Sequence, residues 1–143
     1  MNDIGDLELN ILSCILIKPD LMKKIRVEDK HFRKHQRTWQ FMKACYKKFG
    51  TLDLQLMYAV CKNKYHLIEY LAQVLDIEPT YHNFEKYQDM LMEQYKESQK
   101  DKWIKERVYV LANDLYVGNV KVNEFKGKVN EIFDAAKQIY DKI

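Results

Sequence analysis

Residues 83–117 read NFEKYQDMLMEQYKESQKDKWIKERVYVLANDLYV, and this stretch contains no glycine and no proline. Apolar and aromatic side chains recur in it every three or four residues, which is the spacing of one face of an α-helix. On either side of a polar patch at 96–102, these positions are Phe84, Tyr87, Leu91, Tyr95, Ile104, Val108, Leu111 and Leu115. The pattern predicts one very long helix, whose first half packs on the preceding helices.

A second helix is predicted to turn back along the long one. Gly118 and Asn119 indicate a turn, and the apolar positions that follow alternate by three and four, as in a coiled coil. Residues 96–143 are therefore predicted to form an antiparallel helical hairpin. Because two helices bury little of their own apolar surface, we expect a partner, first of all a second copy in a dimer. The residues expected to bind it are Ile104, Val108, Leu111, Leu115, Phe125, Val129, Ile132 and Phe133. The spacing equally allows the hairpin to fold back on the first helices as one compact bundle.

The residues before the hairpin, 1–95, are predicted to form a globular helical subdomain. An amphipathic first helix begins after Asp3 or Asp6 and ends before Pro19, and the third helix ends at Gly50. Shorter helices are predicted at 19–25, 54–61 and 67–75. The predicted fold class is all-α, a compact globular helical domain followed by a long antiparallel helical hairpin.

The composition argues against several classes of function. With only 4 glycines and no glycine-rich phosphate loop, the chain has no ordinary means of holding ATP, and no residue pattern supports an enzyme or a cofactor site. The net charge of +3 is small, so contact with DNA is expected to be at most indirect. Three cysteines within apolar helical patterns indicate buried, reduced thiols and hence a cytoplasmic protein. The longest apolar run, at 11–17, is too short to span a membrane.

A few side chains could still carry chemistry. His31 and His35 are one helical turn apart, like a two-histidine metal pair, but no further ligand completes a set, so two exposed histidines at a helix start are the preferred interpretation. Cys14 and Cys61 lie on apolar stripes, where thiols are usually inert. The densest basic cluster suits a phosphate backbone, although a solvated helix face explains it better. This cluster consists of Lys30, Arg33, Lys34, Arg37 and Lys43.

Several short motifs follow one another along the chain in a characteristic order. Glu8 precedes the helix at 11–16, and Pro19-Asp20-Leu21 opens the next segment. The later motifs are 27–32, followed by Trp39, Phe41 and Tyr46, then 50–54, Tyr70-Leu71-Ala72, and Asn83, Tyr87 and Leu91. In this order, over about residues 6–139, the chain resembles the N-terminal domain of the DnaB-type hexameric replicative DNA helicases. It departs from that family at Ser13, where the family has glycine, and at 63–66, which lack a glycine-containing turn.

The resemblance implies a non-catalytic role in DNA replication. In such helicases this domain pairs through its helical hairpin, assembles into a collar of three dimers and offers a docking surface to primase and loader proteins. Since their ATPase motor lies in a separate C-terminal domain, the chain is expected to be a fragment of a helicase or a free-standing copy, as a phage would carry. The alternatives are a loader or inhibitor acting on a host helicase, the related helicase-binding domain of primase, and a single-stranded DNA-binding protein using the surface at 30–43.

Overall fold

The computed structural model describes residues 6–61, residue 74 and residues 81–142. Every regular element in these ranges is helical, which confirms the predicted all-α fold class. The α-helices are α1 (Leu7–Ile17), α2 (Gln36–Phe49), α3 (Leu54–Val60), α4 (Phe84–Tyr116) and α5 (Val122–Lys142), and the 3₁₀ helices are Pro19–Lys24, Asp29–His31 and Tyr81–Asn83. The chain divides into two compact units, Met1–Met92 and Glu93–Ile143.

Helix α1 is the centre of the first unit. Nearly all of its side chains are buried, including Ile11, Leu12, Cys14 and Ile15, which have no exposed surface. The prediction of an amphipathic first helix is therefore wrong, because a helix that is apolar on all sides is buried on all sides. Even Ser13 is buried, and its hydroxyl donates a hydrogen bond to the backbone oxygen of Val74 at 2.7 Å.

The ends of the predicted helices follow from local chemistry. Oδ1 of Asp6 accepts the backbone N–H groups of Glu8 and Leu9 at 3.0 and 3.2 Å, so Asp6 is the cap that begins α1. Gly50 ends α2 in the left-handed region, at φ 72°. The predicted short helix begins at Pro19, and its six residues form a 3₁₀ helix.

Helix α2 contributes one face to the same hydrophobic core as α1. Its Thr38, Trp39, Met42 and Cys45 are buried, and Phe32 stacks on Trp39 with ring centroids 4.9 Å apart. The predicted end of this helix at Gly50 is confirmed. Aromatic pairs of this kind add about 1 kcal/mol beyond the burial of their area, which anchors the turn before α2 to the helix itself.

A buried carboxylate joins the start of α1 to the start of α2. Oε1 of Glu8 accepts the backbone N–H groups of Arg33, Lys34 and His35 at 3.1, 3.1 and 3.0 Å. On the same side, Oδ2 of Asp6 lies 2.8 Å from Nε2 of His35. These N–H groups belong to the turn that leads into α2, so the carboxylate of Glu8 holds that turn to the start of α1.

A buried amide attaches the first turns of α4 to the 3₁₀ helix Pro19–Lys24 and to the residues that follow that helix. Gln88 is fully buried; its Oε1 accepts the N–H groups of Arg26 at 2.6 Å and Val27 at 3.2 Å, and its Nε2 donates to the oxygen of Lys24 at 3.2 Å. The guanidinium of Arg26 reinforces this contact by pairing with two exposed carboxylates of α4, those of Glu85 and Asp89. The amide thereby fixes where α4 begins within the first unit.

The predicted helix at 67–75 and the loop at Pro79 lie outside the described residues, apart from Val74, which is helical and buried. The Tyr70-Leu71-Ala72 motif lies outside them as well.

Candidate interaction surface on the helical hairpin

The second unit is a hairpin of α4 and α5 closed by a tight turn. Gly118 adopts φ 87°, a conformation that glycine tolerates best, and the N–H of Asn119 bonds to the oxygen of Asp114 at 2.9 Å. Oε1 of Glu124 accepts the N–H of Lys121 at 3.1 Å, which caps the start of α5. The turn predicted at Gly118-Asn119 is therefore confirmed.

The two helices of the hairpin run antiparallel. The ammonium groups of Lys96 and Lys100 lie 5.8 and 5.1 Å from the ring centroid of Tyr140, so the last turns of α5 lie beside residues of α4 that precede the turn by about twenty positions. Cation–π contacts of this kind contribute about 0.5–1 kcal/mol each at exposed sites. They hold the open end of the hairpin together.

The hairpin itself covers much of the predicted partner-binding set. Leu111 is buried, with 7% of its surface exposed, and Phe133 is exposed at 50%. The other six residues, Ile104, Val108, Leu115, Phe125, Val129 and Ile132, are partly buried. Ala136, which the set did not include, is almost completely buried. The sequence spacing thus identified side chains that are at least half covered already in one copy of the chain.

The most exposed large apolar side chains of α4 lie elsewhere on the helix. Tyr109 and Tyr116 are exposed at 78% and 89%, and Val110 and Val117 at 58% and 55%. At about 100° per residue, Tyr109 and Tyr116 lie on the side of α4 opposite Leu111, and Val110 lies about a quarter turn from it. Val117 directly follows the last residue of α4. We call these four residues the outer stripe. Val122, at the start of α5, is exposed as well.

The outer stripe has a sequence signal that can be recognised. Tyr109 and Tyr116 are seven residues apart, as are Val110 and Val117, and positions seven apart in a helix differ in direction by only about 20°. The three-four alternation identifies the covered side of the hairpin and does not include these positions, which face a different direction.

Within the described part of the chain, His31 and His35 do not form a two-histidine metal site. His31 is buried, which makes the prediction of two exposed histidines wrong for this residue, and its Nδ1 accepts the N–H of Glu28 at 2.8 Å. Burial, together with the charge of Lys30, lowers the pKa of His31, so the ring is neutral at pH 7. Nε2 of His35 contacts Asp6. His82 is exposed in the 3₁₀ helix before α4, and His66 lies outside the described residues.

The three cysteines are buried and free, as predicted for Cys14, Cys45 and Cys61. Burial raises the pKa of Cys14 to about 12 and also raises the pKa of Cys45. A thiol with such a pKa carries almost no thiolate at neutral pH, and the thiolate is the reactive form. The structure thus gives Cys14 and Cys45 the surroundings of inert core residues.

Across residues 6–61, residue 74 and residues 81–142, no group of three histidine, cysteine, aspartate or glutamate side chains is arranged to hold a metal ion. Within the same ranges, none of the helices combines the length and the apolar character needed to cross a lipid bilayer.

Comparison with known proteins identifies the first unit. A family model described as the DnaB-like helicase N terminal domain matches residues 2–93. No curated protein matches the chain, and no solved structure matches it either. The matched range covers the α1–α3 core and the first turns of α4, and it ends where the second unit begins. Because the match spans well over half of the chain, the protein belongs to the DnaB-like helicase N-terminal domain family.

Proposed function

We propose that this chain is a non-catalytic DNA-replication module whose hairpin mediates self-association and docks primase or a helicase loader. The family to which the chain belongs is the N-terminal, non-catalytic part of a replicative helicase. The observation that supports an interaction role is the outer stripe, four large apolar residues at the end of α4 and directly after it that are more than half exposed. Exposed apolar patches of more than a few hundred Å² are rare on monomeric proteins.

The size of the outer stripe suits a second copy of the chain. A fully exposed aromatic side chain offers on the order of 200 Å², so Tyr109 and Tyr116 together contribute roughly 300 Å². The two valines add to this, so the outer stripe supplies the apolar centre of an interface in which each partner buries roughly 800 Å². Tyrosine is also enriched at interface centres. In this proposal Leu111 holds the hairpin together, while the outer stripe and Phe133 contact the partner.

The test is the oligomeric state of the full chain across a range of concentrations. The variant Tyr109→Lys/Tyr116→Lys should remain helical but lose association, because each buried interface tyrosine is worth about 2 kcal/mol and the pair together raise Kd by a hundredfold or more. The matched control is Asn123→Lys/Asn130→Lys, which adds the same charge at two exposed positions of α5. Sedimentation equilibrium should show a dimer for the control and a monomer for the variant.

Two outcomes would contradict the self-association proposal: a wild-type chain that is monomeric at high concentration, or a tyrosine variant that dimerises like the control. Docking is tested separately by titrating purified primase, loader and intact replicative helicase into the labelled chain. Binding of primase or loader, weakened in the tyrosine variant, supports the proposal. Tight binding to the intact helicase ring alone supports the alternative role of a loader or inhibitor.

A further inference from the structure

The positive charge of this chain is concentrated in one part of the first unit. Between Lys30 and Lys48 there are seven lysines and arginines and no aspartate or glutamate, and the next acidic residue is Asp53. The net charge of the whole chain is only +3, because the residues outside this segment are acidic on balance. The expectation of indirect contact with DNA was based on that net charge. Local charge density decides how a surface interacts with a polyanion, because charges more than about 10 Å away are screened.

Helix α2 turns this segment into one solvent-facing surface. Thr38, Trp39, Met42 and Cys45 occupy its buried side. The exposed positions lie on the opposite side, at 37, 40, 44, 47 and 48. They carry Arg37 near the start, Lys47 and Lys48 at the end, and the neutral side chains of Gln40 and Ala44 between them. The exposed Arg33 and Lys34 precede the helix and extend its first cluster.

Stability does not explain where these charges lie. The N-terminus of a helix carries a partial positive charge, so cations there are unfavourable by several tenths of a kcal/mol each. Nevertheless, the first turn of α2 has no acidic residue and contains Arg37, and Arg33 and Lys34 come just before it. The buried carboxylate of Glu8 offsets this arrangement from inside the fold. Residues that break a local rule in this way are expected at functional sites.

We propose that the exposed face of α2, with Arg33 and Lys34, binds the phosphate backbone of duplex DNA without reading its sequence. We call this surface the basic face; its five cations are Arg33, Lys34, Arg37, Lys47 and Lys48. The two clusters are about ten residues apart, or roughly 15 Å along the helix, which is comparable with the major-groove width of about 12 Å. The basic face can therefore contact the phosphates on both borders of one groove.

The side chains between the clusters explain why binding is independent of sequence. Ala44 has no hydrogen-bonding group, and Nε2 of Gln40 donates to Oδ2 of Asp29 at 3.2 Å. Base-edge hydrogen bonds specify sequence, whereas phosphate contacts only position the protein. Duplex is favoured over single-stranded DNA because single-strand binding uses exposed aromatic rings as stacking platforms. No aromatic ring of α2 is exposed: Trp39 is buried, and Phe41, Tyr46 and Phe49 are partly buried.

The number of cations sets the expected salt dependence. Each phosphate neutralised on duplex DNA contributes about −0.9 to the slope of log K against log salt concentration, so five contacts give a slope of about −4.5. Non-specific affinities of this kind correspond to a Kd of about 10⁻⁴ to 10⁻⁶ M at physiological salt. The measurement is therefore best made by fluorescence anisotropy at lower salt, with the full chain and two labelled duplexes of unrelated sequence.

Two variants remove the positive charges of the basic face separately, one at each end of α2. Arg33→Gln/Lys34→Gln/Arg37→Gln should reduce the slope to about −2, and Lys47→Gln/Lys48→Gln should reduce it to about −3. The first variant should melt at the wild-type temperature or above, because it removes cations from a helix N-terminus. The control is Lys126→Gln/Lys128→Gln/Lys137→Gln, which removes three exposed charges from α5 and should leave the slope unchanged.

The proposal is overturned if both variants retain the wild-type slope or if the control loses as much affinity as they do. Tighter binding to single-stranded DNA than to duplex would also overturn it. Unlabelled polyglutamate can be compared with unlabelled duplex, at equal charge concentration, as a competitor of the labelled duplex. If polyglutamate competes as well as duplex does, the basic face binds an acidic protein instead. A more than tenfold difference between the two duplex sequences would show base readout and contradict phosphate-only contact. None of these outcomes depends on whether the hairpin self-associates.

Discussion

Removing the carboxylate of Glu8 should destabilise the first unit more than removal of any single surface charge. The carboxylate accepts three N–H groups of the chain just before α2, at distances of 3.0–3.1 Å, while its own residue lies inside α1. Hydrogen bonds to a charged acceptor contribute about 1.5–3 kcal/mol each when they are buried. Here the donors belong to residues that are partly or fully exposed, so water replaces part of the loss.

The magnitude follows from what each substitution leaves behind. Glu8→Gln keeps one oxygen as an acceptor but loses the charge at the helix N-terminus, for a cost of about 1–2 kcal/mol. Glu8→Ala leaves all three N–H groups without a protein acceptor and opens a cavity beside α1, for a cost of about 2–4 kcal/mol. A unit of this size should then melt about 4 °C lower for each kcal/mol lost.

Urea denaturation followed by circular dichroism measures the free energy of unfolding of each variant. The slope m should not change, because the surface exposed on unfolding is the same. Glu131→Gln, at an exposed position of α5, is the control and should stay within about 0.5 kcal/mol of wild type. If the free energy of unfolding of Glu8→Ala also lies within that margin, the carboxylate does not hold α1 to the start of α2. The same result would remove the physical role assigned to the glutamate with which the family motif opens.

Two further predictions concern the buried polar groups. Gln88→Leu should cost about 2–4 kcal/mol in urea denaturation, because it leaves the N–H groups of Arg26 and Val27 and the oxygen of Lys24 unsatisfied; a neutral or stabilising effect would show that hydrophobic packing alone places α4. The second prediction concerns Cys14, whose thiol has a pKa of about 12 in the folded state and 9.0 in the unfolded state. The contribution of this thiol to the free energy of unfolding is therefore complete below pH 9 and is lost as the pH rises toward 12. The decline in stability over this range should be steeper in wild type than in Cys14→Ala, and parallel curves for the two proteins would contradict it.

Much of the secondary structure could be predicted because the signals that set it are local. Asp6 caps the helix that follows it, and Gly50 and Gly118 adopt the positive φ that ends a helix or closes a turn. The long helix α4 contains no residue that breaks a helix, so its length could be predicted directly. Such signals act within one or two turns of the chain, and therefore do not require knowledge of the tertiary structure.

The candidate sites could be predicted only in part, because exposure depends on which sides of two helices meet. The three-four alternation identified apolar positions in α4 correctly, but it did not show that Leu111 is buried within the hairpin while Tyr116 faces solvent. In the same way, the charges of the segment at 30–48 were visible in the sequence. Their arrangement on one side of α2 became clear only when Trp39 and Met42 were found on the other.

By itself, the amino-acid sequence determined that this protein is helical, where most of its helices begin and end, and to which family it is related, since caps, breaks and motif order are properties of neighbouring residues. The tertiary structure alone decided that α1 is buried on all sides and that His31 is a core residue. It also showed that the buried carboxylate of Glu8 binds the distant backbone that leads into α2. Each of these facts depends on contacts between segments distant in the chain, and the free energy of such contacts is set by burial and hydrogen-bond geometry in three dimensions.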